Sequence, residues 1–137
     1  MAKVEALVLC RFAEVQPGGL LTVVSGGITR AFAPGLPTAI NPLHVAAMVY
    51  VAPEEIDQVL EIRVCLKMVD TATKVAEIVS GFQIAAVEAM PGEGLHVPIA
   101  LNLSAIVFTD YGQVDVQFLI DNQVGADLSF WIVEKPA

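Results

Sequence analysis

Basic residues are few and scattered. Seven Lys and Arg stand against 15 Asp and Glu in 137 residues, a formal net charge of −8. Lys3, Arg11, Arg30, Arg63, Lys67, Lys74 and Lys135 occur singly, so there is no basic stripe to neutralise a phosphate backbone, and no nucleic-acid partner is expected. The same scarcity argues against an anionic membrane surface. Each apolar run is broken by a charge, a proline or glycines before the roughly 20 residues of a spanning helix are reached, so no membrane partner is expected. The apolar stretch between Glu5 and Arg11 is too short and interrupted for a signal peptide. A cytoplasmic location follows as the expectation.

Residues that carry chemistry are equally sparse. Cys10 and Cys65 are the only cysteines and form no Cys-x-x-Cys pair. They read as small buried hydrophobes rather than as a disulfide, a zinc site or a redox couple. His44 and His96 are the only histidines, and neither has a partner at metal-ligand or catalytic spacing. Ser25, in Val24-Ser25-Gly26-Gly27, lacks the Gly-x-Ser-x-Gly context of a nucleophile. Its glycines read as a strand bulge that lets another backbone approach. Asn102-Leu103-Ser104 matches a glycosylation sequon, which is without consequence in the absence of a secretory signal. Glu54, Glu55 and Asp57, with Asp70, Asp110 and Asp121 in other turns, are the one place where calcium is conceivable, but their spacing is unlike a calcium loop and suits solvated turns. No catalytic, cofactor-binding or metal residues are assigned.

What the chain does have is apolar residues. Hydrophobic types make up 55% and charged types 16%, with a mean hydropathy of +0.68. A disordered chain is thereby excluded, and part of the apolar surface must face water or a partner. Period-two alternation is clearest over 60–68, where Leu60, Ile62, Val64, Leu66 and Met68 share one face. It recurs over 114–120 and 128–133, joined by the turn-forming residues 121–125, which predicts a C-terminal hairpin. Further strands are expected over 4–12, 20–29, 43–51 and 75–87, separated by Pro/Gly/Asp turns. A short helical turn fits 54–59 and another 100–104. Apolar spacing of three and four is nowhere sustained long enough for an ordinary helix. No repeat or linker divides the chain, so residues 1–137 are read as one domain. The expected fold is an all-β antiparallel sandwich of about seven to nine strands. Residues 6–10 and 45–51 are apolar on both faces, which predicts a second cover over them, for which another copy of the chain is a candidate.

Apolar residues on outward strand phases are the remaining anomaly. Leu119, Trp131 and Val133 take that phase in the C-terminal hairpin, as do Met48 and Tyr50 on the strand that His44 opens. A tryptophan so placed is either covered by a loop or is a contact anchor.

Three stretches carry a resemblance: Ala6-Leu7-Val8-Leu9-Cys10, the run from Gly18-Gly19-Leu20-Leu21 through Ser25-Gly26-Gly27, and Val97-Pro98-Ile99-Ala100-Leu101-Asn102-Leu103. With Tyr111-Gly112-Gln113-Val114 and Asp121-Asn122 they resemble a family of uncharacterised bacterial proteins known as a domain of unknown function. Val114 stands where that family has a tyrosine and Asn122 where it has a glycine. The resemblance implies an immunoglobulin-like β-sandwich and says nothing about activity.

These readings point to a non-enzymatic interaction or assembly module whose partner is a second copy of the chain or another protein. The alternatives are a sandwich or barrel that encloses a small apolar ligand, and an enzyme whose site is assembled from distant residues such as His44, His96 and the turn carboxylates.

Overall fold

The computed structural model describes residues 2–83 and 89–136. Twelve strands are formed among these residues: β1 (Lys3–Cys10), β2 (Phe12–Gln16), β3 (Leu20–Val24), β4 (Arg30–Ala33), β5 (Thr38–Ala39), β6 (His44–Val51), β7 (Val59–Met68), β8 (Lys74–Gln83), β9 (Leu95–Asn102), β10 (Val107–Phe108), β11 (Gly112–Ile120) and β12 (Gln123–Glu134). The fold is all-β, and its sheets are antiparallel or mixed. One principal sheet has the order β1-β6-β9 and the other β4-β12-β11-β7-β8, with β2-β3 and β10-β5 as separate pairs.

The alternating strands do what their pattern dictates. Leu60, Ile62, Val64, Leu66 and Met68 of β7 are all buried, as are Val114, Val116, Phe118 and Ile120 of β11 and Phe130 and Ile132 of β12. They meet Val45, Ala47, Val49 and Val51 of β6 in one apolar cluster between the two principal sheets. Phe108 and Phe130 pack edge to face within it, centroids 6.0 Å apart. Each fully buried Phe or Leu contributes about 1.5–3 kcal/mol by leaving water.

The C-terminal hairpin forms with a tighter turn than the expected 121–125. Asp121 and Asn122 both take positive φ, 49° and 66°, the geometry of a two-residue hairpin turn. The register then slips by one residue between Phe118/Ala126 and Leu119/Val124, which leaves Gly125 as the extra residue of a bulge. A Cβ on Gly125 would press into Val4 of β1 at 2.8 Å. The bulge is thus where β12 passes close to β1 and the two sheets meet.

Several expected spans are corrected. The strand over 4–12 is two strands, because the chain bends at Arg11, and β2 and β3 form a hairpin. The strand over 20–29 stops at Val24, because Ser25 and Gly27 take positive φ (54° and 90°). Gly26-Gly27 therefore ends a strand rather than bulging one, and the amides of Gly27 and Ile28 both donate to Leu9 O, at 2.9 and 3.0 Å. The close approach at Gly26 is of a side chain, since a Cβ there would lie 3.0 Å from Val8 Cγ1. The turn expected over 100–104 is not helical; β9 runs to Asn102, paired along its length with β6. The turn expected over 54–59 reduces to a single 3₁₀ turn at Pro53–Glu55, since Asp57 has φ 73° and β7 begins at Val59. Of the strand expected over 75–87, β8 begins one residue earlier, at Lys74, with Ala76, Ile78 and Phe82 half-buried and Ser80 exposed; Ile84, Ala86 and Val87 lie outside the described residues.

The second cover over β1 and β6 comes from the chain itself. The β2-β3 hairpin folds back across the outer face of the three-stranded sheet, and Cys10, Ala13 and Ala46 form a second buried cluster with Val8, Leu21 and Ala100. His44 fixes that fold-back: its Nδ1 lies 3.0 Å from Arg11 O, and its ring meets Phe12 edge-on at 5.3 Å. Among the described residues no helix is long and apolar enough to cross a membrane.

Candidate interaction surface

The register distributes the five outward apolar residues over three places. Trp131 of β12 lies between Gln113 of β11 and Arg30 of β4 on the outer face of the five-stranded sheet. It is 47% exposed. Val133, two residues on along the same face, pairs with Phe32 of β4, and Phe32 is 58% exposed. Trp131, Val133 and Phe32 thus form one apolar patch beside Arg30, at the β4 edge of the sheet.

Leu119 shares this outer face but sits at its other end. It is half-buried between Arg63 of β7 and Val124 of β12, six residues along β11 from Gln113 and so about 20 Å away. Met48 and Tyr50 are on the other sheet altogether. Both are half-buried on the outer face of β6, opposite Pro98 and His96 of β9. Tyr50 is already engaged: the His96 ring lies 5.2 Å from it, Lys3 Nζ stands 5.7 Å from its centroid, and a Cβ on Gly94 would collide with its hydroxyl end.

Sequence reasoning missed Phe32. Its strand reads Arg-Ala-Phe-Ala, with the small Ala31 and Ala33 turned to the core and the large residue turned to water, so the alternation carries the opposite hydrophobic signal. The parallel pairing of β4 with β12 turns Phe32 to the same side as Trp131.

Beside Leu119, on β7 and β8, this face carries a charged group. Arg63 bonds Glu61 at 3.0 Å and Glu77 at 2.6 Å, and Lys74 bonds the second oxygen of Glu77 at 2.7 Å. The hydrogen bond from Lys74, with both cations nearby, holds the Glu77 carboxyl below its usual range. Asp115 is shifted the other way, raised by burial and by the Asp127 charge across the hairpin.

The polar residues of chemical interest have structural partners. Cys10 and Cys65 are buried and unbridged, and burial pushes the Cys10 thiol pKa up. His44 and His96 face Asn102 and Tyr50 at opposite ends of the β6-β9 ladder, again about 20 Å apart by strand rise, so they share no site. His96 Nδ1 pairs instead with Glu5 at 2.5 Å. Glu55 accepts from the amides of Ala2 and Ala52, and Asp121 from that of Glu61. Among the described residues no group of three or more His, Cys, Asp or Glu side chains is gathered as metal ligands. Ser104 Oγ accepts from Leu43 N at 2.9 Å and donates to Leu43 O at 3.2 Å, while Asn102 Oδ1 accepts from Ser104 N. The sequon residues are therefore a clamp at the end of β9.

No curated protein matches the chain in sequence. A similar fold occurs in the solved structure of Pseudomonas fluorescens alkylpurine DNA glycosylase AlkC bound to DNA containing an abasic site analog, with a TM-score of 0.53 and 13% identity. The match covers 96% of this chain and 30% of that one, and a likeness at that identity shows fold alone. Residues 5–133 match the model described as a family of unknown function (DUF6941), and the chain belongs to that family.

Proposed function

We propose that the protein is a non-enzymatic assembly module of the cytoplasm that associates with a second copy of itself through the outer face of its five-stranded sheet. The observation that carries this reading is the Trp131, Phe32 and Val133 patch. Two large aromatics 47% and 58% exposed on adjoining strands are unusual on a free surface, and tryptophan and arginine are among the residue types enriched where interfaces concentrate their energy. Gln113, Ser129 and Arg30 border the patch, an apolar centre with a polar rim. A patch on one sheet face can meet its own copy about a two-fold axis, the commonest symmetry of homo-oligomers.

The scaffold we propose is an immunoglobulin-like sandwich. In support, β12-β11-β7-β8 facing β1-β6-β9 follows the G-F-C-C′ and A-B-E orders of that fold. The disulfide and core tryptophan that often pin such domains are replaced here by aliphatic and Phe packing. Two free buried thiols suit a reducing compartment.

Trp131 is the only tryptophan, so its emission reports on the patch alone. On concentration the emission should move to shorter wavelength as the indole leaves water, and Phe32→Ala should suppress the move. Emission independent of concentration across the range in which light scattering is recorded would count against the reading.

A second reading rests on the groove of about 270 Å³ at the open side of the sandwich, between β8 and β9, walled by Ile62, Phe82, Val97, Ile99 and Leu101. A small apolar ligand would be held there, and binding of a fluorescent fatty acid that is lost in Phe82→Glu is its test.

A further inference from the structure

A second feature lies on the opposite flank of β4 from β12. Trp131 N donates to Thr29 O and Lys135 N to Ala33 O, so the main-chain groups of residues 29, 31 and 33 face β12. Backbone groups alternate in direction along a strand, and those of Arg30 and Phe32 therefore point away from the sheet. They face a groove of about 300 Å³ lined also by residues 38–42 and by Arg11. An unpaired edge of this kind is a template for another strand. Natural edges are usually blunted, as β9 is here by Pro98, whose missing amide falls on its free side while its pairing with β6 continues. β4 contains no proline.

The charge of this groove is opposite to that of the protein. Arg11 and Arg30 both line it, in a chain of net charge −8. Arg63 and Lys74 are committed to Glu61 and Glu77, whereas among the described residues neither Arg11 nor Arg30 has a carboxylate within ion-pair distance. Guanidinium groups bind carboxylates in paired hydrogen bonds.

We propose that this groove binds an extended acidic segment of a partner protein, which adds a strand to the free edge of β4 and places carboxylates against Arg11 and Arg30. Main-chain bonds to Arg30 and Phe32 supply the pairing, and the two arginines select acidic side chains. The site adjoins the Trp131 patch, with Arg30 and Phe32 common to both, but it uses the free main-chain edge of β4 and does not depend on self-association.

The test is a titration of isotope-labelled protein, followed by amide chemical shifts, with a ten-residue peptide of alternating Val and Glu and with its Val and Gln counterpart. The acidic peptide should shift the amides of Arg30, Phe32 and residues 38–42 saturably, and more weakly as salt is raised. The Gln peptide, and the acidic peptide with Arg30→Gln or Arg11→Gln, should bind at least tenfold more weakly. Both arginines are exposed, so the variants should otherwise keep the native spectrum. Phe32→Pro removes one free-edge donor while sparing the bonds of Ala31 and Ala33 to β12, and should abolish the shifts at β4. Absence of shifts at β4, equal binding of the Gln peptide, or full affinity in the arginine variants would overturn the proposal. So would shifts of the β4 amides on simple dilution without peptide, which would mark this edge as a contact between copies of the chain.

Discussion

Ser104→Ala separates a buried from an exposed hydrogen bond within one turn. Leu43 is fully buried, and its amide has Ser104 Oγ as acceptor at 2.9 Å. Leu43 O accepts from Ser104 Oγ at 3.2 Å but also from Leu103 N at 2.8 Å. Removing the hydroxyl therefore orphans the Leu43 amide and leaves the carbonyl satisfied. An unsatisfied buried donor costs about 1–3 kcal/mol, and that is the expected loss. Asn102→Ala removes the acceptor of the Ser104 amide in the same turn, but that bond is exposed, water replaces it, and the expected loss is under about 1 kcal/mol. Urea unfolding followed by circular dichroism gives both values, as shifts in midpoint at unchanged slope. Equal losses for the two variants, or a stable Ser104→Ala protein, would refute the reasoning that burial of Leu43 sets the cost.

Phe130→Ala should destabilise by about 3–5 kcal/mol, since it empties a fully buried site and removes the ring against Phe108; the same unfolding measurement checks it. Gly94→Ala should cost about 1–3 kcal/mol because Tyr50 must leave its place beside His96, and a double-mutant cycle with Tyr50→Ala should recover part of that loss. The raised pKa of Asp115 means that the folded chain holds this proton more tightly than the unfolded one. Its contribution to stability therefore falls as pH rises from the unfolded to the folded pKa and stays unfavourable above it. Asp115→Asn should accordingly stabilise the protein at neutral pH, with the gain vanishing in acid, as read from unfolding midpoints across pH.

How much of this was legible in the sequence depended on which face of each strand is wet. β7, β11 and β12 have one buried face and one solvated or charged face, so Leu60 to Met68 and Val114 to Ile120 announce themselves by alternation. β9 does not, because Val97, Ile99 and Leu101 face the core while Ala100 lies under the β2-β3 hairpin, and an unbroken apolar run has no period to read. β4 was lost for the reverse reason, its core positions being alanines and its solvent position Phe32. With it went one member of the surface patch and the free edge that Arg30 occupies. Trp131 was visible from strand phase alone, but its separation from Leu119, Met48 and Tyr50 is a matter of register and sheet assignment, which phase does not encode. The apolar excess that suggested a second copy over β1 and β6 is met there by the chain's own hairpin. The patch at β4 and β12 remains uncovered.

Self-association through that patch is read from native mass, measured by light scattering over a hundredfold range of concentration. The mass should exceed that of the 14.5 kDa chain, fall to the monomer in Trp131→Ala or Phe32→Ala, and be unaltered by Met48→Ala on the opposite sheet. A wild-type protein that stays monomeric throughout, or an oligomer indifferent to Trp131 and Phe32, would contradict it.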